Sequence, residues 1–177
     1  FDKRSGELRW KVARDEKTSW STPLVVEHDG RTQVIVSATK RVRGYDLATG
    51  VELWECAGLT DNVVSSPVSD GHGMVIAGNS YYQQAMLALQ GGVAIRLAGA
   101  KGDITGTDRV AWRLSRSTPY VSSPLLYGDT LYFLRHNQNV LSRLDPATGT
   151  GTFICELLEH FRGQPKKLEH SYMPESK

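Results

Sequence analysis

Asp46-Leu47-Ala48-Thr49-Gly50-Val51-Glu52-Leu53-Trp54 carries the pattern that decides the fold: an acid, a hydroxyl residue, a glycine, and an aromatic ring four residues later. The pattern stands again at Asp2-Lys3-Arg4-Ser5-Gly6 with Trp10, and at Asp145-Pro146-Ala147-Thr148-Gly149 with Phe153. Trp112 ends a weaker copy. A second marker interleaves with the first, as Ser21-Thr22-Pro23, Ser65-Ser66-Pro67 and Ser122-Ser123-Pro124. Trp10 to Trp54 and Pro23 to Pro67 each span 44 residues. Two independent markers recurring in constant order define a structural repeat, and a period of this size belongs to arrays of small units.

Each unit reads as four short strands. In the first they are Pro23–Glu27, Gln33–Ala38, Val42–Leu47 and Val51–Cys56; in the third, Pro124–Tyr127, Thr130–Leu134, Val140–Asp145 and Thr150–Cys155. His28-Asp29-Gly30, Ala48-Thr49-Gly50, Gly128-Asp129 and His136–Asn139 supply the reversals, where Gly and Asp/Asn accept positive φ. Acid and hydroxyl side chains of the motif can bond backbone amides in the turn, which fixes where the aromatic lands on the last strand. A ring there covers a neighbouring sheet, burying roughly 150–250 Å². Val12, Cys56, Leu114 and Cys155 follow each aromatic by two residues and share its face, so that face is core. No segment between strands carries a helical period, which excludes parallel sheets with crossover helices. The expected fold is all-β, a partial β-propeller of four-stranded antiparallel blades, about three blades plus one strand of a fourth.

Composition removes whole classes of function. The 177 residues are 23% charged and 40% hydrophobic, with 21 Lys+Arg against 19 Asp+Glu, a net +2. No basic stripe or acidic tail recruits nucleic acid, and no apolar run approaches the ~18 residues of a membrane helix. Two cysteines are too few for a disulfide scaffold. Phe1 begins the chain without Met, a charged n-region or an apolar h-region, so the expectation is either a removed targeting segment or a piece of a longer protein.

Asp-x-x-Thr-Gly-x-x-x-Trp resembles the repeat of the PQQ-like β-propellers, the superfamily of quinoprotein dehydrogenases and the BamB-like outer-membrane assembly lipoproteins. Gly102-Asp103-Ile104-Thr105, Val110-Ala111-Trp112 and Pro119-Tyr120-Val121-Ser122-Ser123-Pro124 are similar to secreted bacterial propellers of the PQQ-binding-like or BamB-like group. The resemblance covers residues 1–153 and departs from the family in three ways. A full ring has about seven or eight blades. Residues 90–109 carry extra length, with Gln90-Gly91-Gly92-Val93 looking like an insertion. After Phe153 no Ser-Pro marker follows: Cys155–Phe161 suggests one short helix, and Gly163–Lys177 a polar mobile tail, so 154–177 is an aberrant C-terminal segment. An incomplete ring leaves sheet faces open to water, hence a fragment or a form that self-associates.

The resemblance implies a non-catalytic scaffold or binding module for a protein or ligand at the bacterial cell envelope, periplasmic or extracellular, with protein partners or the remaining blades as its contacts. The alternative it implies is a piece of a quinoprotein dehydrogenase oxidising alcohols or sugars with PQQ and Ca²⁺. That chemistry needs a stacking Trp, a Ca²⁺ carboxylate and a base Asp, a set not assembled by these residues, and the adjacent disulfide-bonded cysteines common beside PQQ are missing.

Individual candidates read mostly as structure. Cys56 and Cys155 fall at equivalent repeat positions with a blade between them, as buried small hydrophobes rather than a redox pair. His28, His72 and His136 lie in separate turns without a Cys or carboxylate at ligand spacing; His160 and His170 belong to the C-terminal segment. Asp103 with Gly102 and Gly106 lacks the alternating ligands of a Ca²⁺ loop. Gly99–Asp103 lacks the Gly-Lys-Ser/Thr of a phosphate loop, and Ser65-Ser66 and Ser122-Ser123 lack a nucleophile elbow. Lys40, Arg41 and Arg43 form a small basic cluster, which solvated charges at a strand edge explain equally well. Tyr81, Tyr82 and Tyr120 read as rim residues, with a contact surface as the functional alternative. No catalytic, cofactor-binding or metal residue is assigned.

Overall fold

The structure, a computed structural model, describes residues 1–79, 91–115, 117–135, 140–155 and 171–172. After an N-terminal segment, β1 (Leu24–His28), β2 (Arg31–Ala38), β3 (Arg41–Asp46) and β4 (Glu52–Ala57) form an antiparallel meander. The Asp29-Gly30 loop joins β1 to β2 with φ of 51° and 69°, the mirror-image turn that matches strand twist and that glycine and aspartate tolerate. The second sheet holds β5 (Val68–Ser69), β6 (Met74–Asn79), β7 (Gly91–Arg96) and β9 (Val110–Leu114). β10 (Leu125–Tyr127), β11 (Thr130–Leu134), β12 (Val140–Leu144) and β13 (Gly151–Cys155) make the third. Two short strands extend the edges: β8 (Gly102–Asp103) pairs parallel with Trp54-Glu55, and β14 (Ser171–Tyr172) pairs with Gly151-Thr152.

The chain is thus all-β among the described residues, in three mostly antiparallel sheets with the strand order expected from the repeat. Among the described residues the three sheets do not close into a ring. Within the stretch expected to look like an insertion, Gly91–Val93 form the start of β7, laddered to β6 and β9, and Gln90 lies outside the described residues. The extra length lies in 97–109, which leaves the second sheet, contributes β8 to the first, and returns. Ile104 N–H bonds Glu55 O (2.9 Å), and Ala57 N–H bonds the Thr105 hydroxyl (2.8 Å). The helix expected over Cys155–Phe161 lies outside the described residues, except that Cys155 ends β13. Most of the expected polar tail lies outside them too, while Ser171 and Tyr172 form β14.

Two apolar seams join the sheets. The first packs Ile35, Val42, Trp54 and Cys56 against Val75, Ala77, Ile95 and Val110. In the second, Ile76, Ala94, Trp112 and Leu114 meet Leu131, Phe133 and Leu144. The middle sheet is therefore buried on both faces, as β6 shows with five successive buried residues, while β11 alternates.

The repeat turns are alike in detail. In each of the three, the motif glycine N–H bonds the aspartate carbonyl: Gly6 to Asp2 (2.8 Å), Gly50 to Asp46 (2.8 Å), Gly149 to Asp145 (2.9 Å). Their φ values are 74°, 74° and 70°, the left-handed region where glycine is favoured. Each aspartate carboxylate also accepts backbone amides two or three residues on. Amides of Ser5 and Arg4 hold the Asp2 carboxyl down at about 2; the Thr49 hydroxyl and amide lower Asp46, and Thr105 does the same for Asp103. A carboxyl whose folded pKa is depressed adds stability above its unfolded value, and that stability disappears as pH falls through the folded value. The thermal midpoint is therefore expected to hold above pH ~4 and to fall between pH ~4 and ~2. The slope should be shallower in an Asp2→Asn, Asp46→Asn double variant followed by circular dichroism; a wild-type midpoint flat across that window would refute the assignment.

Candidate functional site

Three features could carry recognition: the register between sheets, a cleft at one end of the first sheet, and an uncovered face of the third. The register is set by two kinds of polar bond. Trp10 Nε1–H donates to Leu47 O, and Trp112 Nε1–H to Pro146 O, both at 2.8 Å. Each acceptor is the residue after the motif aspartate of the next unit, and each indole lies on that unit's motif glycine, Gly50 or Gly149. A ring against a bare Cα, with its N–H on the turn carbonyl, fixes one sheet on the next.

The second kind explains the Ser/Thr-Pro marker. Thr22 N–H donates to Ser66 Oγ (2.8 Å), and Ser66 N–H donates to Ser123 Oγ (3.0 Å). Each unit's amide thus reads the hydroxyl of the next. Ser66 and Ser123 act here as acceptors between sheets. Ser19 and Ser21 hydroxyls both donate to Ser37 O, at 2.6 and 2.7 Å, and tie the N-terminal segment to β2.

Trp54 departs from its two counterparts. The connection 97–109 stands where its partner turn would be, so its indole has no turn carbonyl to reach. It lies fully buried over Gly44, directly opposite in the ladder, and donates to Gln33 Oε1 (2.9 Å). The expectation that all three rings occupy like places on a neighbouring sheet holds for Trp10 and Trp112; Trp54 enters its seam by folding over its own sheet.

Arg43 is the other departure. The expectation of solvated strand-edge charge is overturned for this residue, whose side chain is 8% exposed. It meets Asp15 (2.8 Å), Glu16 (2.6 Å), Glu55 (3.1 Å) and Glu52 (3.3 Å), and Arg41 adds contacts to Asp15 and Glu55. Burial opposes the charge on Arg43, but the Asp15 and Glu55 hydrogen bonds and the Glu16 and Glu52 carboxylates hold it protonated. Its hydrogen bond to Asp15 is the main cause lowering that carboxyl. Sequence reading missed the cluster because Asp15 and Glu16 lie outside any strand and 28 and 27 residues upstream.

Beside this cluster a cleft of about 470 Å³ opens between residues 15–18, the β2–β3 turn at 39–41, and Asp61-Asn62. The tip is held rigidly: Lys40 O accepts from the amides of Gly58 and Leu59, and Lys40 N–H donates to Thr60 O. Lys40 (φ 71°) and Asn62 (φ 58°) both adopt left-handed backbone in its wall, a conformation concentrated at ligand clamps and turns.

One face of the third sheet is exposed at several of its described residues. Leu125 pairs with Tyr132, Tyr132 with Arg143, and Leu134 with Leu141, which puts all five on the side away from the middle sheet. Leu125 is 59%, Tyr127 76% and Leu134 42% exposed.

The remaining candidates fall as follows. Cys56 is buried, and burial raises its thiol pKa, which disfavours a reactive thiolate; the middle sheet separates its strand from that of Cys155. His28 packs on Gly73 and lies 3.4 Å from Asp29, and His72 is exposed. Asp103 bonds the Thr105 amide (2.9 Å) within the strap that carries β8. Tyr120 is half-buried. Tyr81, Tyr82, His136, His160 and His170 lie outside the described residues. Among those described, no three His, Cys, Asp or Glu side chains converge as a metal site, and no helix is long and apolar enough to cross a membrane. No protein-family model matches the chain, and no curated protein does.

Proposed function

We propose that the three sheets are blades of a partial PQQ-like β-propeller that works without catalysis, as a scaffold binding another protein or its own further blades at the bacterial cell envelope, in the periplasm or outside the cell. One observation supports the reading above the rest: a face bearing Leu125, Tyr127 and Leu134 stands open on the third sheet, while the same side of the first and second sheets is buried under its neighbour. Contiguous apolar surface of this kind marks an interaction site. The N–H of Ser123, next in the amide-to-hydroxyl series, has no acceptor among the described residues. A further sheet of the same repeat would supply both the apolar cover and the hydroxyl.

Light scattering tests this directly. The isolated chain is expected to run above its 19.6 kDa monomer mass, and Leu125→Arg with Tyr127→Arg is expected to return it to the monomer. A monodisperse wild-type monomer that binds no ANS would overturn the reading.

A further inference from the structure

We propose that Leu8–Ala13 is an open strand edge that takes one extended segment of another polypeptide as an antiparallel partner, with a small residue opposite Trp10 and a carboxylate opposite Lys11. The inference rests on the repeat-scaffold reading for its register, and adds the kind of partner bound at the end of the array away from the third sheet. Four segments carry the aromatic of the repeat or of its weaker copy: Leu8–Ala13, β4, β9 and β13. The last three are laddered to the strand before them, β3, β7 and β12. In Leu8–Ala13 no backbone amide or carbonyl has a hydrogen-bond partner among the described residues. Its turn is nevertheless closed like the others: Asp2 N–H donates to Glu7 O (2.8 Å), as Asp46 does to Val51 O and Asp145 to Thr150 O. The Trp10 ring is docked on Gly50, with its N–H on Leu47 O. A segment anchored by its side chain with its backbone unpaired is a template for strand addition. Exposure agrees. Val12 is 38% exposed, where Cys56 and Leu114 in the same place are 1% and 4%; Phe1, before the motif aspartate, is 84% exposed, where Tyr45 and Leu144 are 3% and 2%.

The three complete sheets define what fits. A small residue faces the aromatic each time: Gly44 is paired with Trp54, Ala94 with Trp112 and Ser142 with Phe153. Paired residues share one face of a ladder, so a large ring leaves little room across from it. One residue further on, Glu55 pairs with Arg43 and bonds it at 3.1 Å. Lys11 holds the place of Glu55; it is exposed and has no ion-pair partner among the described residues. An opposite charge across the ladder is stabilising, so the residue that suits Lys11 is an acid. The next place is filled by valine in two sheets, Val42 across from Cys56 and Val140 across from Cys155. The partner strand therefore reads β-branched, acidic, small in its own chain direction, and ends beside Phe1. A second copy of Leu8–Ala13 is the competing occupant. It fits poorly, because pairing Trp10 with itself sets a ring against a ring and Arg9 against Lys11.

Amide hydrogen exchange of the whole chain with the peptide acetyl-Thr-Ile-Thr-Val-Glu-Gly-amide tests the edge. Without peptide, the amides of Leu8–Ala13 are expected to exchange freely; at about 1 mM peptide, alternate ones are expected to slow, as an antiparallel ladder requires. Leucine in place of the peptide glycine, or N-methylation of the peptide amides, should abolish the protection. Lysine in place of the peptide glutamate should weaken binding about twofold to fivefold, and the Lys11→Glu chain should reverse that preference. Protection already present without peptide would mean that two copies pair, and overturns the proposal. So do binding indifferent to the leucine peptide, a charge preference that Lys11→Glu leaves unreversed, and the absence of any protection. The scaffold reading is judged separately by the light scattering of the Leu125→Arg, Tyr127→Arg chain, whose substitutions lie in the third sheet and leave this edge intact.

Discussion

Replacing Arg43 by methionine is expected to cost about 3–5 kcal/mol of folding stability, because removing one partner of a buried ion pair strands the others. The stranded group is Glu16, whose side chain is 3% exposed and whose Oε1 lies 2.6 Å from Arg43 Nη1. Asp15 and Glu52 are 68% and 41% exposed and can turn to water, so they add little. The loss should therefore trace to Glu16. Pairing Arg43→Met with Glu16→Leu should recover most of it, since a matched apolar pair is often as stable as the ion pair it replaces. Urea denaturation of the four species gives the coupling energy. A single-variant loss below about 1 kcal/mol, or no recovery in the double, would mean that water already reaches Glu16.

The cluster also shows where sequence reading ends. Arg41 and Arg43 alternate on β3 with Val42, so their placement on the face opposite Val42 follows from the period of a strand. Their partners on β4, Glu52 and Glu55, follow from the hairpin. Asp15 and Glu16 do not, because no periodicity governs a segment without regular structure, and they supply the contacts that change solvated charge into a buried network. The repeat itself was legible for the opposite reason. Asp46, Thr49 and Gly50 satisfy one another within five residues, so local chemistry alone fixes the turn. Ser66 and Ser123 were recognisable as markers, but their acceptor roles were not, since a hydroxyl bonding across 44 or 57 residues leaves no local trace. For the same reason the cleft, assembled from three separate segments, had no signature in the sequence.

Trp54→Ala is expected to be the other large loss, about 3–5 kcal/mol, as for a fully buried aromatic that leaves a cavity. Trp10→Ala, at a half-exposed ring, should cost clearly less. The more discriminating variant is Gly44→Ala. The backbone at Gly44 has ordinary φ, so alanine brings no strain there; its methyl would instead overlap the Trp54 indole. Overpacking of this kind costs about 1–3 kcal/mol. Both ladders slip register at this point, after Gly44 in the first sheet and after Ala94 in the second. Yet Ala94 faces Trp112 without difficulty, because that indole reaches out to Pro146 O and not inward to Gln33. The difference predicts a double-mutant result: on a Trp54→Leu background, Gly44→Ala should lose nearly all of its cost, because the ring that excludes the methyl is gone. If the cost persisted there, Gly44 would be required by the bulge itself, and the inward turn of Trp54 would be a consequence of that bulge rather than of its missing partner turn.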